Sequence, residues 1–223
     1  PIPRRQRQMC IRDRSKTYIF DESAADGLPT IFLTTDPGNF FDNDTGIYVM
    51  GDNASSNFPY FGANFWEDWE RPIHFEILEE DLSGYSANAG VKIFGGWSRG
   101  QNQKSLSIFA RSQYGYSSFE YPLFPNSEVS AYESFVLRNS GNDWTSSMLR
   151  DGFITGLADD TNIDHQLYRP AVIYLNGEYW GIQNIREKVN EHFLSSHHDI
   201  PPEHIDLLDI QGIYSENIVH GTN

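Results

Sequence analysis

Residues 91–111 read VKIFGGWSRGQNQKSLSIFAR. Two runs with strand composition, Val91–Phe94 and Leu106–Ala110, flank a loop that carries Gly95, Gly96 and Gly100. The pattern predicts an antiparallel hairpin around a glycine-rich loop. Glycine lets a backbone approach a ligand closely, and its amides can point at phosphate oxygens. Lys104 opens the second run and supplies a cation just beyond the loop. Ser98 and Arg99 add a hydroxyl and a guanidinium within it. The loop is not a Walker A motif, in which Gly-Lys-Ser/Thr is contiguous ahead of a helix. Here three residues separate Gly100 from Lys104. A hairpin of this kind also serves simply as a turn, and Lys104 as a surface lysine, so the stretch alone leaves both readings open.

Working outward, the chain is β-rich first and mixed later. Pro29–Leu33 reads as a strand, Asp36–Gly46 (DPGNFFDNDTG) as turn chemistry, and Ile47–Met50 as a short strand. Ile73–Leu78 (IHFEIL) alternates apolar and polar residues, the period of a half-buried strand. Leu82–Ala89 reads as a turn, and Phe135–Leu137 begins another buried run. Thr145–Ala158 predicts a helix, with Met148, Phe153, Ile154 and Leu157 on one face and Asp143 as its cap. Ala171–Leu175 and Tyr179–Ile185 predict a second hairpin through Asn176-Gly177, the dipeptide best suited to a tight two-residue turn. Val189–Ser196 reads as a helix and Pro201-Pro202 starts a short one. The chain is expected to end at His220–Asn223 within a loop.

Charge and cysteine use bound the partners. The 223 residues carry 16 Lys+Arg against 31 Asp+Glu, a net charge of −15. Residues 1–14 stand apart: they hold Arg4, Arg5, Arg7, Arg12 and Arg14, show no apolar periodicity, and have no apolar signal-peptide core. They resemble translated sequencing-adaptor DNA and are set aside as a non-native tail, with residues 15–27 as a linker and 28–223 as the domain. A basic arm for nucleic acid is the alternative. Without the tail, Lys+Arg falls to 11, Asp+Glu to 30, and the net charge to −19. Such a surface repels nucleic acid and anionic membranes. The single cysteine, Cys10, lies in the tail, so the domain has no disulfide or thiolate zinc site. No run approaches the length of a membrane span.

Two later segments join the hairpin. Leu137–Asp151 reads LRNSGNDWTSSMLRD and Tyr174–Glu187 reads YLNGEYWGIQNIRE. With GGWSRGQNQKS in the same order, they resemble the spore coat protein H (CotH) kinase family, above all its secreted bacterial members. Leu28–Gly51 and Trp69–Ile77 extend the resemblance, which covers about Tyr18 to Asp209. It implies an α+β, atypical protein-kinase-like fold with a β-rich N-terminal lobe, the C-terminal lobe being truncated here. It also implies transfer of the ATP γ-phosphate to Ser or Thr of a protein, with Mg2+. An extracellular or cell-surface setting follows from the resemblance, with further extracellular domains compatible with it.

The resemblance gives roles to particular residues. Gly95, Gly96, Ser98, Arg99 and Lys104 become nucleotide-side candidates, Lys104 like the strand lysine that holds ATP phosphates in kinases. A kinase braces that lysine with an acidic residue, and Asp151 and Glu187 are the two candidates. A buried Arg–Asp network bracing the lobe is the competing reading of Arg150 and Asp151. The aspartates that serve as base and metal ligand in the family would lie beyond Asn223, so this length of chain is expected to show negligible turnover.

Rival constellations are weaker. An EF-hand loop starting at Asp42 would place its glycine one residue after Gly46 and a glutamate where Asn53 stands. His192, His197, His198 and His204 lack the spacing of zinc-protease ligands. Glu67, Glu70 and Glu178 beside Trp66, Trp69 and Trp180 would suit a sugar site. The alternative function is accordingly a non-catalytic extracellular module that binds carbohydrate or protein.

Overall fold

A computed structural model describes residues 27–210 and 216–221. The expected tail with Cys10, and the linker up to residue 26, lie outside the described residues. In chain order the elements are β1 (Thr30–Thr34), α1 (Pro37–Phe41), β2 (Arg71–Leu78), β3 (Gly84–Phe94), β4 (Ser105–Phe109), β5 (Phe119–Glu120), β6 (Ala131–Tyr132), β7 (Ser134–Arg138), α2 (Arg150–Gly156), β8 (Tyr168–Leu175), β9 (Glu178–Glu187), α3 (Glu191–His198), β10 (Leu207–Ile210) and β11 (Glu216–His220).

Seven strands close into a barrel in the order β1-β2-β3-β4-β7-β9-β8. Every pairing is antiparallel except the one that closes it, where β1 runs parallel to β8 with Thr30 opposite Val172. The alternation of β2 sets the wall: Ile73, Phe75 and Ile77 are buried while His74 and Glu76 face outward. A barrel of this size is filled by its own side chains. Phe75 meets Phe119 and Phe135 edge-on, with ring centroids 5.0 and 5.5 Å away. Each such ring contributes about 1.5–3 kcal/mol by leaving water.

Both predicted hairpins are present. β3 and β4 pair from Gly90 opposite Phe109 to Phe94 opposite Ser105, so the glycine loop caps that end of the barrel. β8 and β9 turn through Asn176 and Gly177, both at positive φ (50° and 84°), which is why Asn-Gly works there. α3 is capped by the Asn190 side chain, which accepts from the Phe193 amide at 3.0 Å.

Five local expectations are corrected. Asp36–Gly46 is not all turn: the Asp36 carboxylate caps α1 by accepting from the Gly38 amide, and Pro37 supplies the helical φ at the first position. Residues 47–50 form no strand, because their backbone lies beside α1 rather than beside a sheet edge. Residues 82–89 are turn only at Leu82, and Gly84 already begins β3. The helix expected over 145–158 is reduced to α2, since Met148 takes φ 59° and breaks the run. Asp143 still serves it, accepting from the Arg150 amide at 3.1 Å. The supposed core face is exposed instead, Phe153 at 69% and Leu157 at 67%. At the chain's end, His220 closes β11 opposite Leu207 rather than lying in a loop.

Candidate phosphate-binding hairpin

Lys104 immediately precedes β4, two residues before Leu106, which points into the core. That parity turns the lysine inward, and it is only 5% exposed. Its Nζ donates to the Gln101 carbonyl at 2.8 Å and sits 4.1 Å from the Phe65 ring centroid and 5.1 Å from that of Tyr48. Among the described residues no carboxylate forms an ion pair with it. Burial without an anion pushes the ammonium down to about 8. Two ring faces offset part of the desolvation.

The backbone around the lysine is pinned from three sides. The Tyr48 hydroxyl accepts from the Lys104 amide at 2.7 Å, and Gln183 Nε2 donates to the Lys104 carbonyl at 2.7 Å. Next door, the Ser105 hydroxyl and the Asn139 amide side chain bond at 2.9 Å, and Asn139 Nδ2 donates to the Gln103 carbonyl at 2.6 Å. The motif residue Asn139 therefore ties the start of β4 to the end of β7. Burial raises the Tyr48 phenol to about 12, so it remains a neutral hydrogen-bonding group.

The glycine loop is open on its outer side. Gly95 has φ +104°, a conformation that suits glycine, and a Cβ there would meet Ser98 Oγ at 2.8 Å. A Cβ at Gly96 would meet nothing within 4 Å, so a ligand can approach its backbone. Arg99 turns inward: Nε donates to the Gly95 carbonyl at 2.5 Å and Nη1 to the Phe65 carbonyl at 3.1 Å, with the guanidinium 5.5 Å from the Trp66 ring centroid. It braces the loop rather than presenting its charge outward. Trp97 projects from the loop at 63% exposure, edge-on to Phe58 and Phe61.

Asp151 and Glu187 are held elsewhere. Asp151 Oδ2 lies 2.7 Å from Arg186 Nη1 and 3.0 Å from Arg138 Nε. Arg186 is fully buried, and burial lowers its guanidinium while Asp151 acts against that shift. This is a bracing network of the kind weighed for Asp151, although its arginines are 138 and 186; Arg150 pairs with Asp143 instead, at 3.1 Å. Glu187 accepts from the Leu167 amide at 3.0 Å and stands 2.8 Å from His197 Nε2. It lines a separate cavity of about 260 Å³ with Glu133 and His192. Gly95, Gly96, Ser98, Arg99 and Lys104 thus share one hairpin, and Asp151 and Glu187 each belong to another cluster.

Three partners of Lys104 escaped the sequence reading. Gln183 carried a signal, a polar residue on the same face of β9 as the buried Ile185. Tyr48, in a loop, and Phe65, in the short 3-10 turn Asn64–Trp66, carried none. Two of the rival carboxylates have partners of their own within the chain. Asp42 Oδ1 accepts from the Thr45 hydroxyl and from the Thr45 and Asp44 amides. Glu70 is occupied by Arg111 at 2.8 Å and by Tyr114 at 3.0 Å. No group of three acidic, histidine or cysteine side chains suited to a metal ion occurs among the described residues.

A family model described as CotH kinase protein matches residues 91–218, more than half of the chain. This chain belongs to the CotH kinase protein family. The match begins at Val91, in the strand that leads into the glycine hairpin, and runs through Leu137–Asp151 and Tyr174–Glu187. A comparison with curated proteins gave no match. At the family level a kinase-related function follows. No helix among the described residues is long and apolar enough to cross a membrane.

Proposed function

We propose that this chain carries the nucleotide-binding face of a kinase-like fold, and that the protein transfers the ATP γ-phosphate to Ser or Thr of a protein substrate. The observation that supports this most directly is Lys104: a buried ammonium that no carboxylate among the described residues pairs with, next to an open glycine loop. Strong desolvation with no internal counter-ion marks a group whose partner comes from outside. Lys104 would neutralise phosphate oxygens, and the Gly95–Gly96 backbone would let them approach. In the transfer a bond forms from the substrate hydroxyl oxygen to the γ-phosphorus, the bond from that phosphorus to the bridging oxygen breaks so that ADP leaves, and the hydroxyl proton passes to solvent. No carboxylate cluster for Mg2+ occurs among the described residues, so no step is assigned to the metal. An extracellular setting belongs to the same reading.

One observation favours a second reading, a non-catalytic binding module. Neither Asp151 nor Glu187 reaches Lys104, which rests on two rings and a carbonyl. Thermal unfolding of the chain with and without MgATP, in the native form and as Lys104→Met, separates the two. A rise in melting temperature with ATP that disappears in the variant supports the nucleotide site. Equal shifts in both proteins, or none in either, would sink it.

A further inference from the structure

A cleft of about 800 Å³ opens on the outer face of the barrel wall, apart from the glycine hairpin. Its floor is the outward side of β1, β2 and β3, where Thr34, His74 and Asn88 stand in register. Its rim is the turn Ser112–Tyr114 and the residues that follow it. The volume matches a small-ligand site.

The lining has a specific chemistry. No lysine or arginine contributes to it, and the one carboxylate, Asp36, is partly engaged by the Gly38 amide. An anionic ligand would therefore find no counter-charge. The remaining side chains are mostly neutral hydrogen-bonding groups with two phenols, Tyr114 and Tyr116. Several are already oriented. His74 Nδ1 and Asn88 Oδ1 lie 2.8 Å apart, which leaves the Asn88 amide NH2 as a donor. Asn39 Nδ2 donates to the Thr35 hydroxyl and Gln113 Nε2 to Glu70, so each keeps its carbonyl oxygen as an acceptor. Tyr116 presents its ring at 43% exposure.

Planar amides offering both donors and acceptors, beside an aromatic face and without fixed positive charge, match a neutral polyhydroxylated ring: vicinal hydroxyls each donate and accept, and C–H faces stack on phenols. We propose that the cleft between the β1–β3 wall and the 112–116 turn binds a neutral carbohydrate, through Asn39, Asn88, Gln113 and Tyr116. The site shares no lining residue with the phosphate-binding hairpin, and its occupancy is independent of ATP.

The test is titration calorimetry of the full chain with free glucose, galactose, mannose and N-acetylglucosamine, alongside binding to the corresponding immobilised oligosaccharides. The two arms distinguish a free sugar from a glycan chain. Asn88→Ala and Tyr116→Ala both change exposed side chains, and circular dichroism checks that each variant folds. The expected result is binding to at least one neutral sugar in either arm, weakened tenfold or more in each variant and unchanged by MgATP. Absence of binding across both arms would overturn the proposal. So would binding that survives both substitutions but is lost in Trp97→Ala, since that would move the site to the exposed rings of Trp97, Phe58 and Phe61. Preference for a peptide over every sugar tested would overturn it too.

Discussion

Two buried cationic regions of this barrel solve the same problem in opposite ways. At Arg138–Asp151–Arg186, charge is balanced internally: one carboxylate joins two guanidiniums from β7 and β9, with oxygen–nitrogen distances of 2.7 and 3.0 Å. At Lys104, the cation has two aromatic faces and one carbonyl and, among the described residues, no anion. The first region holds the fold together without any ligand. The second leaves an electrostatic demand unmet, and a phosphate would meet it. Polar residues in a core therefore divide by whether their charges are balanced within the chain, and burial alone does not separate scaffold from site.

Removing the shared carboxylate attacks the balanced region hardest. Asp151→Asn leaves two close guanidiniums without the carboxylate that joins them, and breaking such a partly buried pair costs about 3 kcal/mol. Chemical denaturation should show that loss; a change under 1 kcal/mol would mean that solvent already screens the network. In the unbalanced region the sign reverses. Lys104→Met removes a desolvated ammonium, and at pH 7 the variant should be as stable as the native chain or more stable, by up to roughly 3 kcal/mol from the lowered lysine.

The pH dependence follows from the same asymmetry. The folded lysine titrates at about 8, below its ordinary 10.5, so between those values the unfolded chain binds more protons. Stability from this group therefore rises with pH across that window. The gap between Lys104→Met and the native chain should narrow as pH goes from 8 towards 10. A gap that stays constant would show that the ammonium is not desolvated in solution.

Smaller effects sharpen the contrast. Glu187→Gln keeps an acceptor for the Leu167 amide but loses the charge facing His197, with an expected cost of about 1 kcal/mol. Phe153→Ser on the exposed side of α2 should change stability by less than about 0.5 kcal/mol, because the ring is already in water. A larger loss would show that this side of α2 is covered in solution.

Legibility followed the range of the interactions involved. Both hairpins and the wall of β2 were readable because alternation and Asn-Gly turns are local signals. The glycine loop and Lys104 were readable as a pair for the same reason. The length of α2 was misjudged because apolar spacing carries no information about whether a covering surface exists, and because nothing in the residue type announces the positive φ at Met148. An Arg–Asp network was legible at Asp151, but the partners of Asp151 and Glu187 were not, since they lie on other elements: Arg138 on β7 and Arg186 on β9 for the one, His197 on α3 for the other. Nor did any pattern suggest the outer cleft, which exists only once Ser112–Tyr114 lies over β3.

The parallel contact between β1 and β8 also has a bearing on synthesis. Thr30 finds its barrel partner, Val172, only after the whole intervening chain has been made. At ordinary translation speeds that delay is roughly 10–30 s, long compared with most elementary folding events. During it, the nascent β1–β4 sheet presents an unpaired edge along β1, the kind of edge that recruits other chains. A trigger-type chaperone that covers that edge should therefore raise the soluble yield of this protein more than it raises the yield of a protein whose barrel closes between neighbouring strands.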